Sequence, residues 1–279
     1  MVNTSLSLAD HLAAVARKAA LSATDKGVIN VSLKTLLTRL RAEFDAYDVS
    51  RIELFGAFTR DTSLPHVLDK ESDVDVMVVF KEMGQKPGYY VEKLKQVAGL
   101  HYPRTAIVQN GTTLYIELLH TRFDLVPALE SLRGMQVPVK GGDAWQTTEP
   151  AADARALAQK DTQNAGLILP LVRLAKYWNA RNGHPLDAYD LERRIVTHSF
   201  AMAPKNLKAY FFDFMRSLHV SPAAGIARAE AVRGMRKALD EIDRIAQAGD
   251  LFEAVARMEQ MLPLPASPAG GNPFLRRSS

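Results

Sequence analysis

The sequence predicts an α+β fold: a mixed sheet with helices packed on it, followed by a helical domain packed so as to form a cleft. Three observations predict this. Apolar residues recur at spacings of three and four through Leu33, Leu36, Leu37, Leu40 and Phe44, the mark of a half-buried helix. Between Arg51 and Val126 the chain turns to short runs rich in β-branched and aromatic residues, separated by turn-forming ones. From about Ala152 the helical pattern returns.

Taken in order, residues 5–47 read as two helices, the first with Leu6, Leu8, His11, Leu12 and Val15 on its apolar stripe. Arg51 to Phe55 alternates and stops at Gly56, as a strand ending in a turn does. Residues 61–72 hold Pro65 and Asp69 and read as a connection. Val74 to Phe80 is almost wholly apolar and β-branched, a buried strand, and 88–99 can form a helix. Strands follow at 105–108, 113–119 and 122–126. Asn164 to Ala180 carries Leu167, Leu171, Leu174, Ala175 and Trp178 on one face, with Pro170 either kinking that helix or marking its start. Further helices are expected at 187–200, 205–219, 224–247 and 250–260. These spans give an α/β half over 1–150 that includes both N-terminal helices, a helical half over 151–261, and a Pro- and Gly-rich tail over 262–279 expected to lack fixed structure.

Composition narrows the function. Of 279 residues, 47% are hydrophobic and 24% charged, enough apolar material for a sizeable core. No apolar run reaches 18 residues, so no membrane span is expected. The first residues lack the basic and apolar regions of a secretory signal, and the chain has no cysteine, which excludes disulfides and thiolate metal sites; a cytoplasmic location is expected. The net charge of +4 suits an anionic ligand. The seven histidines show no metal-ligand spacing. Arg228, Arg233, Arg236 and Lys237 read as a solvated helix face, and without interleaved aromatics they leave nucleic-acid binding open.

The chemistry is concentrated in two strands. Asp73 and Asp75 stand at i and i+2 at the start of an apolar strand, so both point to one face. Two like charges there are costly unless a positive charge lies between them. Asp124 is the sole acid of another apolar run, Arg122 to Val126. Alone, Asp124 could be a core carboxylate paired with Arg122 or Arg104. If the two strands are neighbours, three carboxylates meet and can hold Mg2+ or Mn2+, the protein's share of a two-metal phosphoryl-transfer site. Gly56 ends a strand where backbone N–H groups can approach phosphate oxygens, and Arg60 lies one turn further on.

These segments resemble the DNA polymerase β-like nucleotidyltransferases, whose signature places Gly-Ser before Asp-x-Asp. More narrowly they resemble the cGAS/DncV-like nucleotidyltransferases (CD-NTases), the sensor enzymes of anti-phage CBASS systems. Those often read Phe-Gly-Ser-x-x-Arg-Gly-Thr, then Ser-Asp-x-Asp-Val-x-Val-x-Phe, then Phe-Asp-Leu-Val-Pro. Here the matching stretches are Phe55 to Thr62, Ser72 to Phe80, and Phe123 to Pro127. In the helical half, Lys176-Tyr177-Trp178-Asn179 and Ala188-Tyr189-Asp190-Leu191-Glu192 are similar to further family elements, so that the likeness covers roughly residues 30–215.

The resemblance implies a metal-dependent enzyme that joins nucleoside triphosphates into a cyclic oligonucleotide signal and releases pyrophosphate. Asp73, Asp75 and Asp124 would ligate the metals and carry catalysis. Gly56, Ala57 and Arg60 would line the triphosphate, Lys176 would contact donor phosphates, and Tyr189 would stack on the donor base. The tail over 262–279 could engage a regulatory or effector protein. Two departures stand out: Ala57 and Ala188 replace serines whose hydroxyls would serve the triphosphate. They keep open a linear product, or transfer of a nucleotide to RNA or protein. A non-catalytic nucleotide-binding module is the remaining alternative, and the intact acids argue against it.

Overall fold

The computed structural model describes residues 7–81, 83–131, 134–139 and 141–265. It opens with α1 (Leu8–Lys18) and α2 (Ala23–Glu43), each started by a serine that caps the helix while an aspartate three residues on caps it in return: Ser7 with Asp10, and Ser22 with Asp25. Strand β1 (Val49–Phe55) runs into a single helical turn, α3 (Gly56–Thr59). After a loop come β2 (Asp73–Phe80), α4 (Pro87–His101), the β3–β4 hairpin (Ala106–Asn110, Thr113–Glu117) and the long β5 (Arg122–Ser131). Two short strands, β6 (Gly134–Pro138) and β7 (Trp145–Thr148), and α5 (Pro150–Gln163) follow. Then come α6 (Ile168–Arg181), α7 (Ala188–Thr197), α8 (Leu207–Ser217), α9 (Ile226–Gln247) and α10 (Leu251–Met261). Among the described residues no helix is long and apolar enough to cross a membrane.

The chain divides into two compact units, one of residues 21–163 and one joining the residues up to Ala20 with those from Asn164 onward. This differs from the sequence reading, which places both N-terminal helices in the first half. Helix α1 packs its buried Leu8, Leu12 and Val15 toward α6, α8 and α10, and His11 Nε2 lies 2.8 Å from the carbonyl oxygen of Leu262, just after α10. The same contact corrects the extent of the tail. Leu262 and Pro265 are buried, and the Pro265 carbonyl accepts from Lys18 Nζ at 3.1 Å, while Leu264 between them is exposed; 266–279 lie outside the described residues.

In the 21–163 unit the sheet order is β1-β2-β5-β4-β3, with β6 on the far half of β5 and β7 beyond it. Among the described residues only the β2–β5 pairing is parallel; the others are antiparallel. Alternation along the strands separates two faces. Val74, Val76, Val78 and Phe80 of β2 join Phe123 and Leu125 of β5, and pack on Leu33, Leu36 and Leu40 of α2 and on Tyr90, Val91 and Leu94 of α4. The opposite face carries Met77, Val79, Ala128 and Val137 in a smaller apolar cluster. Near the start of β2 that same face carries Asp73 and Asp75. The expected strand at 113–119 stops at Glu117, because Leu118 N donates to Thr121 O at 2.9 Å and the chain turns back.

In the other unit, α6 begins at Ile168, so Pro170 sits in its first turn, where no intrahelical N–H is required. Trp178 is buried in the core, as its place on the apolar stripe predicts. Asn179, with no exposed surface, ties the connection after α6: its Nδ2 donates to Leu186 O at 2.8 Å and its Oδ1 accepts from Leu186 N at 3.0 Å.

Two expectations follow. Asn179→Ala leaves both Leu186 backbone groups without these partners and lowers stability by about 2–4 kcal/mol in urea unfolding. The second concerns His66 and His120. Burial, with the Lys70 charge second, holds His66 below the ordinary histidine value of 6.5, and burial, with His66 second, does the same for His120. The unfolded chain then takes up protons that the folded chain refuses. Stability is full above about pH 6.5 and falls as pH drops toward the lowered folded values, and a His66→Asn, His120→Gln variant flattens the fall in melting temperature between about pH 7.5 and about pH 5.5.

Candidate active site

The site grows out of one register. β2 and β5 run parallel with Asp73 opposite Arg122 and Asp75 opposite Asp124. Because side chains alternate, the three carboxylates project from the same sheet face, and an oxygen from each lies within 4.8 Å of the others. Asp124 is 9% exposed and the other two are partly buried, so their charges meet little solvent screening. Hard oxygen donors converging in this way fit a divalent cation such as Mg2+ or Mn2+.

Gly56 completes the acidic corner. Phe55 pairs with Asp75 across β1 and β2, which brings the next residue against that carboxylate. Gly56 has φ +74°, and a Cβ built on it would lie 1.7 Å from Asp75 Oδ2. No side chain fits there unless Asp75 moves. The turn that follows is held by Thr59 Oγ1 donating to Gly56 O at 2.9 Å and Thr62 N donating to Ala57 O at 3.0 Å. Ala57 is partly buried on this turn, and Arg60 ends it with partial exposure. Asp61 adopts φ +57° and pairs with Lys26 at 2.8 Å.

A cation on the chain borders the triad. Arg122 Nη2 donates to Asp73 Oδ2 at 3.1 Å and to Glu71 O at 2.7 Å, and the guanidinium lies 4.1 Å from the centre of the Tyr115 ring. Burial works to lower the Arg122 pKa, but the charge and hydrogen bond of Asp73 outweigh it and raise it. Tyr115 stands opposite Asp124 on β4; burial first, and then the Asp124 charge, push its hydroxyl up to about 12. The structure pairs Arg122 with Asp73.

Lys176 and Tyr189 belong to the other unit. Lys176 is buried on α6 and pairs with Glu192 Oε2 at 2.7 Å, a carboxylate that offsets the cost of burying its charge. Tyr189 is 43% exposed in the first turn of α7, with the Arg193 guanidinium 5.8 Å from its ring centre. Ala188 opens that helix behind the Asp187 cap. Arg122 and Tyr115 were not singled out from the sequence as site residues, although Arg122 stands two positions before Asp124 and so shares its strand face.

Comparison with known proteins follows this geometry. The family described as "Second Messenger Oligonucleotide or Dinucleotide Synthetase domain" (SMODS) matches residues 6–161. A curated relative from Bacillus cereus (strain VD146), described as "Probable cyclic nucleotide synthase", is 26% identical over 183 residues, which are 52% of this chain and 54% of that protein. The chain thus spans about half the length of that relative. Among solved structures, the STING-associated CdnE c-di-GMP synthase from Capnocytophaga granulosa is similar with a TM-score of 0.63 at 13% identity, over 88% of this chain and 90% of that one. CdnC from E. coli MS115-1, solved in a HORMA-deltaN complex, has a TM-score of 0.64 at 15% identity over 90% and 96%. Vibrio cholerae DncV cyclic AMP-GMP synthase, solved with the linear intermediate 5′ pppA(3′,5′)pG, has a TM-score of 0.58 at 12% identity over 76% and 68%. At these identities the structural likeness is one of fold. The family match covers more than half of the sequence, and the chain belongs to the second messenger oligonucleotide or dinucleotide synthetase family of cGAS/DncV-like nucleotidyltransferases.

Proposed function

We propose that this chain is a divalent-cation-dependent nucleotidyltransferase that joins nucleoside triphosphates with release of pyrophosphate, and that its product is a cyclic oligonucleotide signal serving anti-phage defence. The convergence of Asp73, Asp75 and Asp124 within 4.8 Å carries the chemical part of this reading. Carboxylates so close repel one another unless a cation joins them. A bound Mg2+ or Mn2+ would neutralise triphosphate charge and make an attacking hydroxyl more acidic. The chain's own work is positioning, which is most of what phosphoryl transfer asks of a protein. The β2–β5 pairing fixes the three acids relative to one another, and Gly56 leaves Asp75 its space.

Family resemblance supports the remaining assignments. Gly56, Ala57 and Arg60 are assigned to the donor triphosphate, and Tyr189, with its exposed ring, to a base. Lys176 is held by Glu192, and its assignment to a phosphate rests on the resemblance alone. The signalling and defence role rests on family membership, and cyclisation is further supported by the synthases among the relatives. A second reading, a linear product or transfer to RNA or protein, is favoured by Ala57 and Ala188: each missing hydroxyl removes a hydrogen bond worth about 0.5–1.5 kcal/mol, or up to about 3 to a charged oxygen.

The test is product formation from labelled ribonucleotides and deoxyribonucleotides with Mg2+ or Mn2+, with phosphatase added before chromatography. A phosphatase-resistant product that is absent from an Asp73→Ala, Asp75→Ala variant is expected. A phosphatase-sensitive ladder would replace the cyclic product with linear synthesis, and equal product from the variant would remove these acids from catalysis. Gly56→Ala is expected to cut product formation by about a hundredfold or more, since displacing Asp75 by an ångström misplaces the reacting groups. Its fold should survive, with a loss of about 1–2 kcal/mol from the left-handed backbone, read by thermal unfolding.

A further inference from the structure

We propose that Arg122 is the built-in counter-charge of the acidic triad, holding Asp73 in place when no cation is bound and thereby weakening the affinity of the site for a divalent cation alone. The inference rests on the reading of Asp73, Asp75 and Asp124 as cation ligands. Its basis is how firmly the guanidinium is fixed. Nη2 is shared between Asp73 Oδ2 at 3.1 Å and the Glu71 carbonyl at 2.7 Å. Nη1 lies 3.9 Å from Glu117 Oε1, and the flat face covers the Tyr115 ring at 4.1 Å. The side chain is 15% exposed, so its charge is neither mobile nor well screened.

Two effects of this arrangement oppose each other. Ordering Asp73 favours cation binding, because one ligand is already oriented. The fixed positive charge disfavours it, because a doubly charged ion must approach a guanidinium that already holds one Asp73 oxygen. Ordering restricts a single short side chain, whereas repulsion acts on the full ionic charge at low exposure and falls only with inverse distance. Repulsion therefore wins. Without Arg122, three carboxylates would share one corner without the guanidinium now fixed upon Asp73, a state more costly to fold but better suited to capturing free metal. With Arg122 in place the acids are tolerable without metal. Tight cation binding then needs the extra negative charge of a triphosphate, so metal and nucleotide load together.

Full-length wild type and the variants Arg122→Met, Arg122→Gln, Arg122→Lys and Asp124→Asn would be titrated with Mn2+ and no nucleotide, following free Mn2+ by electron paramagnetic resonance. Circular dichroism would verify folding, and the Gln variant carries the test should the Met variant not fold. The neutral variants are expected to bind Mn2+ about tenfold more tightly than wild type, and to gain more thermal stability on adding it. The Lys variant, which keeps the charge, should stay within about threefold of wild type. Neutral variants that bind Mn2+ equally or more weakly, while Asp124→Asn loses binding, would overturn the counter-charge and leave the cation site standing. Unchanged binding in Asp124→Asn would overturn the cation site, and the counter-charge with it.

Discussion

The structure depends on the parallel, in-register pairing of β2 with β5. That pairing does two things at once. It buries Val74, Val76 and Val78 against Phe123 and Leu125 on the helix-covered side of the sheet, and by the same alternation it sends Asp73, Asp75 and Asp124 to the other side. A slip of one residue would turn the acids into the core and the valines outward. The hydrophobic core therefore enforces the geometry of the acidic site: with this many apolar side chains to bury, the strands have one acceptable register, and it aligns Asp75 with Asp124. Parallel neighbours need a long crossover, and the 41 residues of connection between Phe80 and Arg122 supply it with α4 and the β3–β4 hairpin.

Much of this was legible in the sequence, for a physical reason. Features written within one strand or one helix could be read: the Asp-x-Asp alternation, the sole acid of the run Arg122 to Val126, the stripe through Leu33, Leu36 and Leu40, and the strand end at Gly56. What escaped depends on contacts distant in sequence. Nothing local shows that His11 will bond the carbonyl of Leu262 and carry α1 to the C-terminal helices. The short strands β6 and β7 hold ordinary polar residues such as Gln136, Gln146 and Thr147, and exist because β5 outruns β4 and offers a free edge. The burial of Lys176 was not legible because its partner, Glu192, lies 16 residues away on another helix. Arg122 was visible two positions before Asp124, but its pairing with Asp73 follows from the strand register.

The site also shows why one departure from the family pattern costs little while a side chain at another position would displace a candidate metal ligand. The pattern carries glycine at two places, which here are Gly56 and Asp61, and both have positive φ, +74° and +57°. At position 61 the demand is conformational. Aspartate enters the left-handed region at modest cost, and its carboxylate gains Lys26 at 2.8 Å as partial compensation. At position 56 the same backbone demand is joined by a steric one, for the place a Cβ would take lies 1.7 Å from Asp75 Oδ2. Backbone strain can be offset by a new interaction elsewhere, but an occupied volume cannot. The two glycines of the pattern thus have different causes, and the one that survives in this chain is the one whose space a candidate metal ligand fills.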